Sequence, residues 1–277
     1  MQAFFGDKLF SYYAALVLRR PTVTLILVGL VIVGFAYGAQ SFRLDVSAES
    51  LVLENDADLV YYRSITSRYG SDDYLIVTYT PQADLFSEIA LAQLQALRDD
   101  LAKIDRVASV VSLLDVPLLE SPPIAIAELS RGIRTLRSAD VDKTLAAQEL
   151  RTSELYRNRL MSPDGQTTAI QVNFARDETF WRLLEARNRL RDKQFESALS
   201  RAETKELATA TEQFEAYNQL TLERQEQSIR AVRAVLDKYR DKAELFLGGV
   251  PMIAADMMSF IRHDIVLFGS GVRIILG

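Results

Sequence analysis

Residues 22–39, Thr-Val-Thr-Leu-Ile-Leu-Val-Gly-Leu-Val-Ile-Val-Gly-Phe-Ala-Tyr-Gly-Ala, contain no charged side chain. As a helix this run rises about 27 Å, close to the ~30 Å hydrocarbon core of a bilayer. Arg19, Arg20 and Pro21 stand directly before it, and Arg43, Asp45, Glu49, Glu54, Asp56 and Asp58 follow it. That asymmetry reads as a transmembrane helix over 21–40, with Arg19 and Arg20 setting topology, the N-terminus cytoplasmic and the rest exported. A cleaved signal peptide is the competing reading, with Ala36-Tyr37-Gly38 as a small-x-small site, but signal cores run about 7–15 residues. A buried globular helix is a third, though soluble helices this long keep a polar face. Residues 1–20, rich in Phe and Tyr with Lys8, Arg19 and Arg20, suit an amphipathic segment on the cytoplasmic face or a disordered leader.

Composition narrows the function classes. Net charge is −5, so no basic field points to nucleic acid. There is no cysteine, hence no disulfide framework and no thiolate metal site. A single histidine, His263, rules out a His cluster and argues against a Ser-His-Asp triad. No Gly-x-Ser-x-Gly elbow, phosphate loop or metal-ligand spacing is found. Asp72-Asp73 and Asp99-Asp100 read as turn and solvated-face residues. The expectation is therefore a non-enzyme with no catalytic residue, cofactor or metal, and a hydrolase is the weakest of the readings considered.

Beyond the first run the pattern is α+β. Phe42 to Val46 alternates apolar and charged residues, as a strand leaving the membrane would, and 59–69 reads as a short helix. Tyr74-Leu75-Ile76-Val77-Thr78-Tyr79-Thr80 is a β-branched, aromatic strand ended by Pro81. Ala90, Leu94, Leu97, Leu101 and Ile104 make one apolar stripe, which predicts a helix from Phe86 to Ile104. Val107 to Leu114 is a second strand. This strand–helix–strand order is the first half of a ferredoxin-like unit. Short helices are expected over 118–150, then a hairpin from Arg157 to Phe174 around the turn Ser162-Pro163-Asp164-Gly165.

From Phe180 to Lys242 the chain is polar and helical, free of Gly and Pro, with Leu222, Ile229, Val232, Leu236 and Tyr239 near heptad spacing. It reads as a helix pair packed on its own domain, or as a projecting hairpin that meets a partner. A short strand, Glu244 to Leu247, leads to Gly248-Gly249-Val250-Pro251 and a helix through Ile261. The Gly pair allows a sharp turn and Pro251 presets φ for the first helical turn. After His263 and Asp264 the chain becomes apolar again, as the truncated start of a second transmembrane helix over 263–277. That stretch is interrupted by Arg273 and, at about 21 Å, too short to cross; it reads as cut off.

With Arg19-Arg20-Pro21 entering a span, and Leu247-Gly248-Gly249-Val250-Pro251 leading to Asp264 before an apolar run, the chain resembles the N-terminal part of RND-superfamily permeases. The branch is that of MMPL-like and predicted exporters, which includes hopanoid and lipid transporters. The resemblance implies a porter domain over 41–262 in the periplasm, with residues 180–242 as a long helical insert. It implies proton-driven export of hydrophobic or lipid-like molecules from a bacterial inner membrane. Partners would be membrane lipids, the lipid-like substrate, and further copies or periplasmic proteins touching the 180–242 helices. The resemblance places the proton-relay carboxylates in later spans, and 22–39 holds no charged side chain. The fragment alone is then not expected to transport. A single-pass, membrane-anchored binding or sensing module is the alternative. Substrate-binding residues are not assigned, and Gly248, Gly249 and Pro251 are expected to act as a structural turn.

Overall fold

The computed structural model describes residues 21–39, 61, 65, 74–121, 134–156 and 159–276. The chain divides into two compact units, 1–46 and 47–277. In the first, helix α1 runs Pro21–Ala39 with no acidic or basic residue in its terminal turns. Proline opens it at a position whose N–H would be unpaired in any helix. Its large apolar side chains are exposed all round, Leu25, Leu30 and Phe35 among them.

Among the described residues no helix is long and apolar enough to cross a membrane. The side chains of α1 are described without a break only over 21–35, about 22 Å of helix. The span expected over 21–40 is not borne out by these residues; they show an uncharged helix with an unburied apolar surface. Arg19 and Arg20, the segment 1–20 and the strand 42–46 lie outside the described residues. So does the 59–69 helix, apart from Tyr61 and Ile65, which are helical and exposed.

The second unit is built on a four-stranded sheet: β1 Tyr74–Pro81, β2 Val107–Val111, β3 Thr168–Phe174 and β4 Ala243–Gly248. The spatial order is β2-β3-β1-β4 and every neighbouring pair is antiparallel. β1 and β2 therefore run parallel with β3 between them, and β3 and β4 run parallel with β1 between them. Leu75, Val77 and Tyr79 alternate inward from β1 and are fully buried.

Against that face pack the stripe Leu91, Leu94, Leu97 and Leu101 of α2 (Glu88–Ala102) and Ile229, Val232, Val235 and Leu236 of α5 (Arg201–Asp237). Ser87 starts α2 later than periodicity suggests, its hydroxyl accepting the Ala90 N–H at 3.2 Å. The remaining helices are α3 Lys143–Thr152, α4 Glu178–Glu196 and α6 Val250–Leu276.

Three expectations change. β2 stops at Val111 because Ser112 turns the chain: its N–H and hydroxyl both donate to Asp115, at 3.0 and 2.8 Å. Leu113 and Leu114 then enter the core instead of prolonging the strand. The hairpin of 157–174 reduces to the turn, with Gly165 at φ +70°, and one bridge from Met161 to Thr168. β3 is a central strand with both edges taken by β1 and β2, so no further partner can extend along it. Finally, no break separates 250–262 from 263–276; both are one helix, since nothing in Arg262-His263-Asp264 interrupts the backbone pairing.

Candidate functional site at the strand-to-helix junction

The expected turn residues meet where β4 becomes α6. Gly249 has φ +127°, a conformation L side chains rarely adopt. A Cβ on it would lie 2.8 Å from the Tyr74 carbonyl oxygen and 3.2 Å from Leu75 Cα. Backbone thus sits directly on backbone, and only glycine fits. Gly248 is different: its Cβ position is 3.9 Å from the Ile76 oxygen, an ordinary contact. The geometry demands one glycine where the sequence suggests two. The Gly249 carbonyl accepts the Ile253 N–H at 3.2 Å, opening α6. Pro251 is buried in the first helical turn, where a missing N–H costs nothing.

Tyr74 begins β1 and Gly248 ends β4, and their strands pair through Ile76 opposite Gly248. The chain therefore enters and leaves the sheet side by side. α6 is braced on departure. Arg233 of α5 donates to both carboxylate oxygens of Asp256, at 2.9 and 2.8 Å. Arg262 lies 3.7 Å from Glu226, which also takes Arg230 at 2.8 Å. Met252 and Ala255 pack on the core from the same side of the helix.

Four carboxylate clusters that sequence reasoning missed hold the rest. Glu149 of α3, 5% exposed, accepts the N–H groups of Leu119 (2.6 Å) and Glu120 (3.0 Å) and the Ser121 hydroxyl (2.6 Å). Asp177 caps α4 by accepting the Phe180 N–H, and takes the Tyr217 hydroxyl on both oxygens at 3.0 Å. Asp115 joins Arg98, Arg137 and Ser112; burial pushes its pKa up, but the Arg98 and Ser112 hydrogen bonds outweigh that and hold it low. Asp100 is held low by Lys103 and then by the Tyr239 hydroxyl. Tyr239 is pushed up to about 12, by burial first and Asp100 second.

Asp177 carries a sequence signal as a helix N-cap, and Ser200-x-x-Glu203 is a legible capping box, formed in the structure. Asp115 and Glu149 carry none, because their partners sit up to 30 residues away. Each of these carboxylates is engaged by donors from its own fold, an architectural use. Among the described residues no group of three or more His, Asp or Glu side chains could hold a metal ion.

The α4–α5 pair is a second feature. Phe180, Trp181 and Phe214 form an aromatic cluster, with the Arg187 guanidinium 4.1 Å from the Phe214 ring centre. Leu184, Leu190 and Phe214 are buried in this seam but do not belong to the main core. Comparison with known proteins finds no match, whether to a family model, a curated protein or a solved structure.

Proposed function

We propose that the chain is the N-terminal portion of a proton-driven, RND-type membrane exporter of hydrophobic or lipid-like molecules, and that it does not transport alone. The observation that carries this reading is the seating of Gly249 on Tyr74. A sheet whose first strand begins beside the end of its last suits insertion between two membrane helices. α1 supplies uncharged helix with an exposed apolar surface, and α6 ends in exposed Ile265, Val266, Leu267 and Phe268. The strand order β4-β1-β3-β2 matches a ferredoxin-like βαβ–βαβ unit in which α2 and α5 are the two core helices and α3 and α4 are additions. Such a unit is what the porter domain of the resembled permeases requires. The location proposed is a bacterial inner membrane, with the sheet domain periplasmic.

The test is fractionation with a carbonate wash, followed by protease treatment of spheroplasts. The chain is expected in the washed membrane, with its sheet domain cleaved from outside. Recovery in the soluble fraction, or protection of the domain, overturns the reading. In proteoliposomes with an imposed proton gradient, this chain alone should move no lipid-like dye.

The separate apolar seam of α4 and α5 favours one other reading, a membrane-anchored module that binds or senses through these helices. A specific partner retained by the full chain and lost on deletion of 180–222, which spares the core-forming end of α5, would select it.

A further inference from the structure

The sequence holds one Asp-Gly pair, Asp164-Gly165, and no Asn-Gly. Glycine after an acidic or amide residue is the setting in which a backbone nitrogen most readily attacks the preceding side chain, because no Cβ stands in the way. The attack needs a neutral carboxyl, a free N–H and a backbone that can fold the two together. Asp164 is exposed at the tip of the turn before β3, yet the turn withholds all three. Asp164 Oδ1 accepts the Ser162 hydroxyl and, at 3.1 Å, the Gln166 N–H. The Ser162 bond first, and the Gln166 bond second, hold the carboxyl below its usual range and so keep it charged. The Gly165 N–H is taken by the Ser162 carbonyl at 2.9 Å. Gly165 is buried at φ +70°, and Arg151 Nε lies 3.5 Å from where its Cβ would stand. Arg151 is fixed in turn by Asp84 at 3.0 Å and by the Phe86 ring at 4.9 Å. Ser162 also closes the turn: its N–H donates to the Thr167 carbonyl and its hydroxyl oxygen accepts the Thr167 N–H, both at 2.9 Å.

We infer that Asp164-Gly165 is a modification site that converts to isoaspartate when the turn opens locally, and that Ser162 and Arg151 set how often it opens. On opening, the Gly165 nitrogen attacks Asp164 Cγ. The N–H proton and the carboxyl hydroxyl leave as water, and a five-membered succinimide closes. Water then adds to one of the two ring carbonyls. Addition at Cγ restores aspartate; addition at the Asp164 main-chain carbonyl leaves Gly165 attached through Cγ. The water lost is regained, so mass is unchanged and neither oxidant nor cofactor is required. The product carries one extra methylene in its main chain and a carboxylate on Asp164 Cα. A turn lengthened in this way no longer sets Ser162 opposite Thr167, so refolding does not undo the change. The cost falls on the bridge from Met161 to Thr168, and Thr168 opens the central strand β3 opposite Tyr79 of β1.

Peptide mapping of the full chain after incubation at neutral pH tests this. Isoaspartate leaves the peptide mass unchanged, shifts its retention and resists an aspartate-specific endoprotease. Folded parent chain should convert many times more slowly than chain held in urea. Ser162→Ala removes the hydroxyl bonds to Asp164 and Thr167 and should raise the folded rate several-fold; Ser162→Thr should bring it back towards the parent. Arg151→Ala uncovers Gly165 without touching Asp164 and should raise the rate independently. Thermal melts establish that each variant is folded during incubation. Gly249→Ala strains the opposite end of β1, beside Tyr74, and should leave the rate unchanged while the chain stays folded. Equal conversion in the folded chain and in urea, or none in either, overturns the proposal. So does a parental rate in folded Ser162→Ala or Arg151→Ala. An equal rise in Gly249→Ala would place control in global unfolding and overturn it as well.

Discussion

At the scale of single residues, the junction rests on one backbone contact. Gly249→Ala places a methyl 2.8 Å from the Tyr74 oxygen at φ +127°, and should cost about 3 kcal/mol in urea unfolding. Gly248→Ala meets only an ordinary contact and should stay within about 1 kcal/mol. A reversal of that order would show that the turn bends elsewhere. Titration sets a second residue-level expectation. Asp100 and Asp115 have depressed folded pKa values, so their stabilisation is present at neutral pH and is lost as pH falls below about 4. Tyr79 and Tyr239 are raised from 10.0 to about 12, so the fold loses stability as pH climbs through that window. Tyr79 is raised by burial alone, its hydroxyl donating to the Ala90 carbonyl at 3.0 Å. Thermal melts of Tyr239→Phe should show a shallower alkaline decline than the parent chain.

At the scale of elements, α5 is one helix with two environments. Its last ten residues, Ser228 to Asp237, contribute Ile229, Val232, Val235 and Leu236 to the core, while among 201–227 only Phe214 is buried. Core packing is confined to this last stretch; Phe214 meets Phe180 and Arg187 of α4 instead. A helix end that leans on a single partner opens locally at low cost. Amide exchange should therefore be markedly slower over 229–236 than over 203–212; equal rates would mean that the first half has a further partner. Near-heptad spacing of Ile229, Val232, Leu236 and Tyr239 is visible in the sequence, but the same polar composition continues through both halves. Only the position of the sheet decides where α5 stops being covered.

At the scale of the whole molecule, α1 and α6 both leave large apolar side chains exposed. A carboxylate in the middle of an uncharged run opposes insertion by about 3 kcal/mol. Leu30→Asp should accordingly shift chain from the carbonate-washed membrane towards the soluble fraction, read by blotting both. If its distribution matches the parent chain, α1 is not in a hydrocarbon environment. Because α6 also ends in exposed apolar residues, part of the population should stay bound.

Local physics was enough for β1, α2, the Ser162–Gly165 turn and the helical character of 178–237. In each, period, caps and turn residues act within a few positions of one another. The uncharged stretch of α1 was equally legible, since absence of charge needs no partner. Strand order, the early end of β2 and the clamps at Glu149 and Asp115 were not, because they depend on groups far apart in sequence. The Gly-Gly pair marks the limit between the two. Composition alone calls for a turn there, but only the approach of the Tyr74 carbonyl distinguishes Gly249 from Gly248, and that approach exists only once β4 has paired with β1.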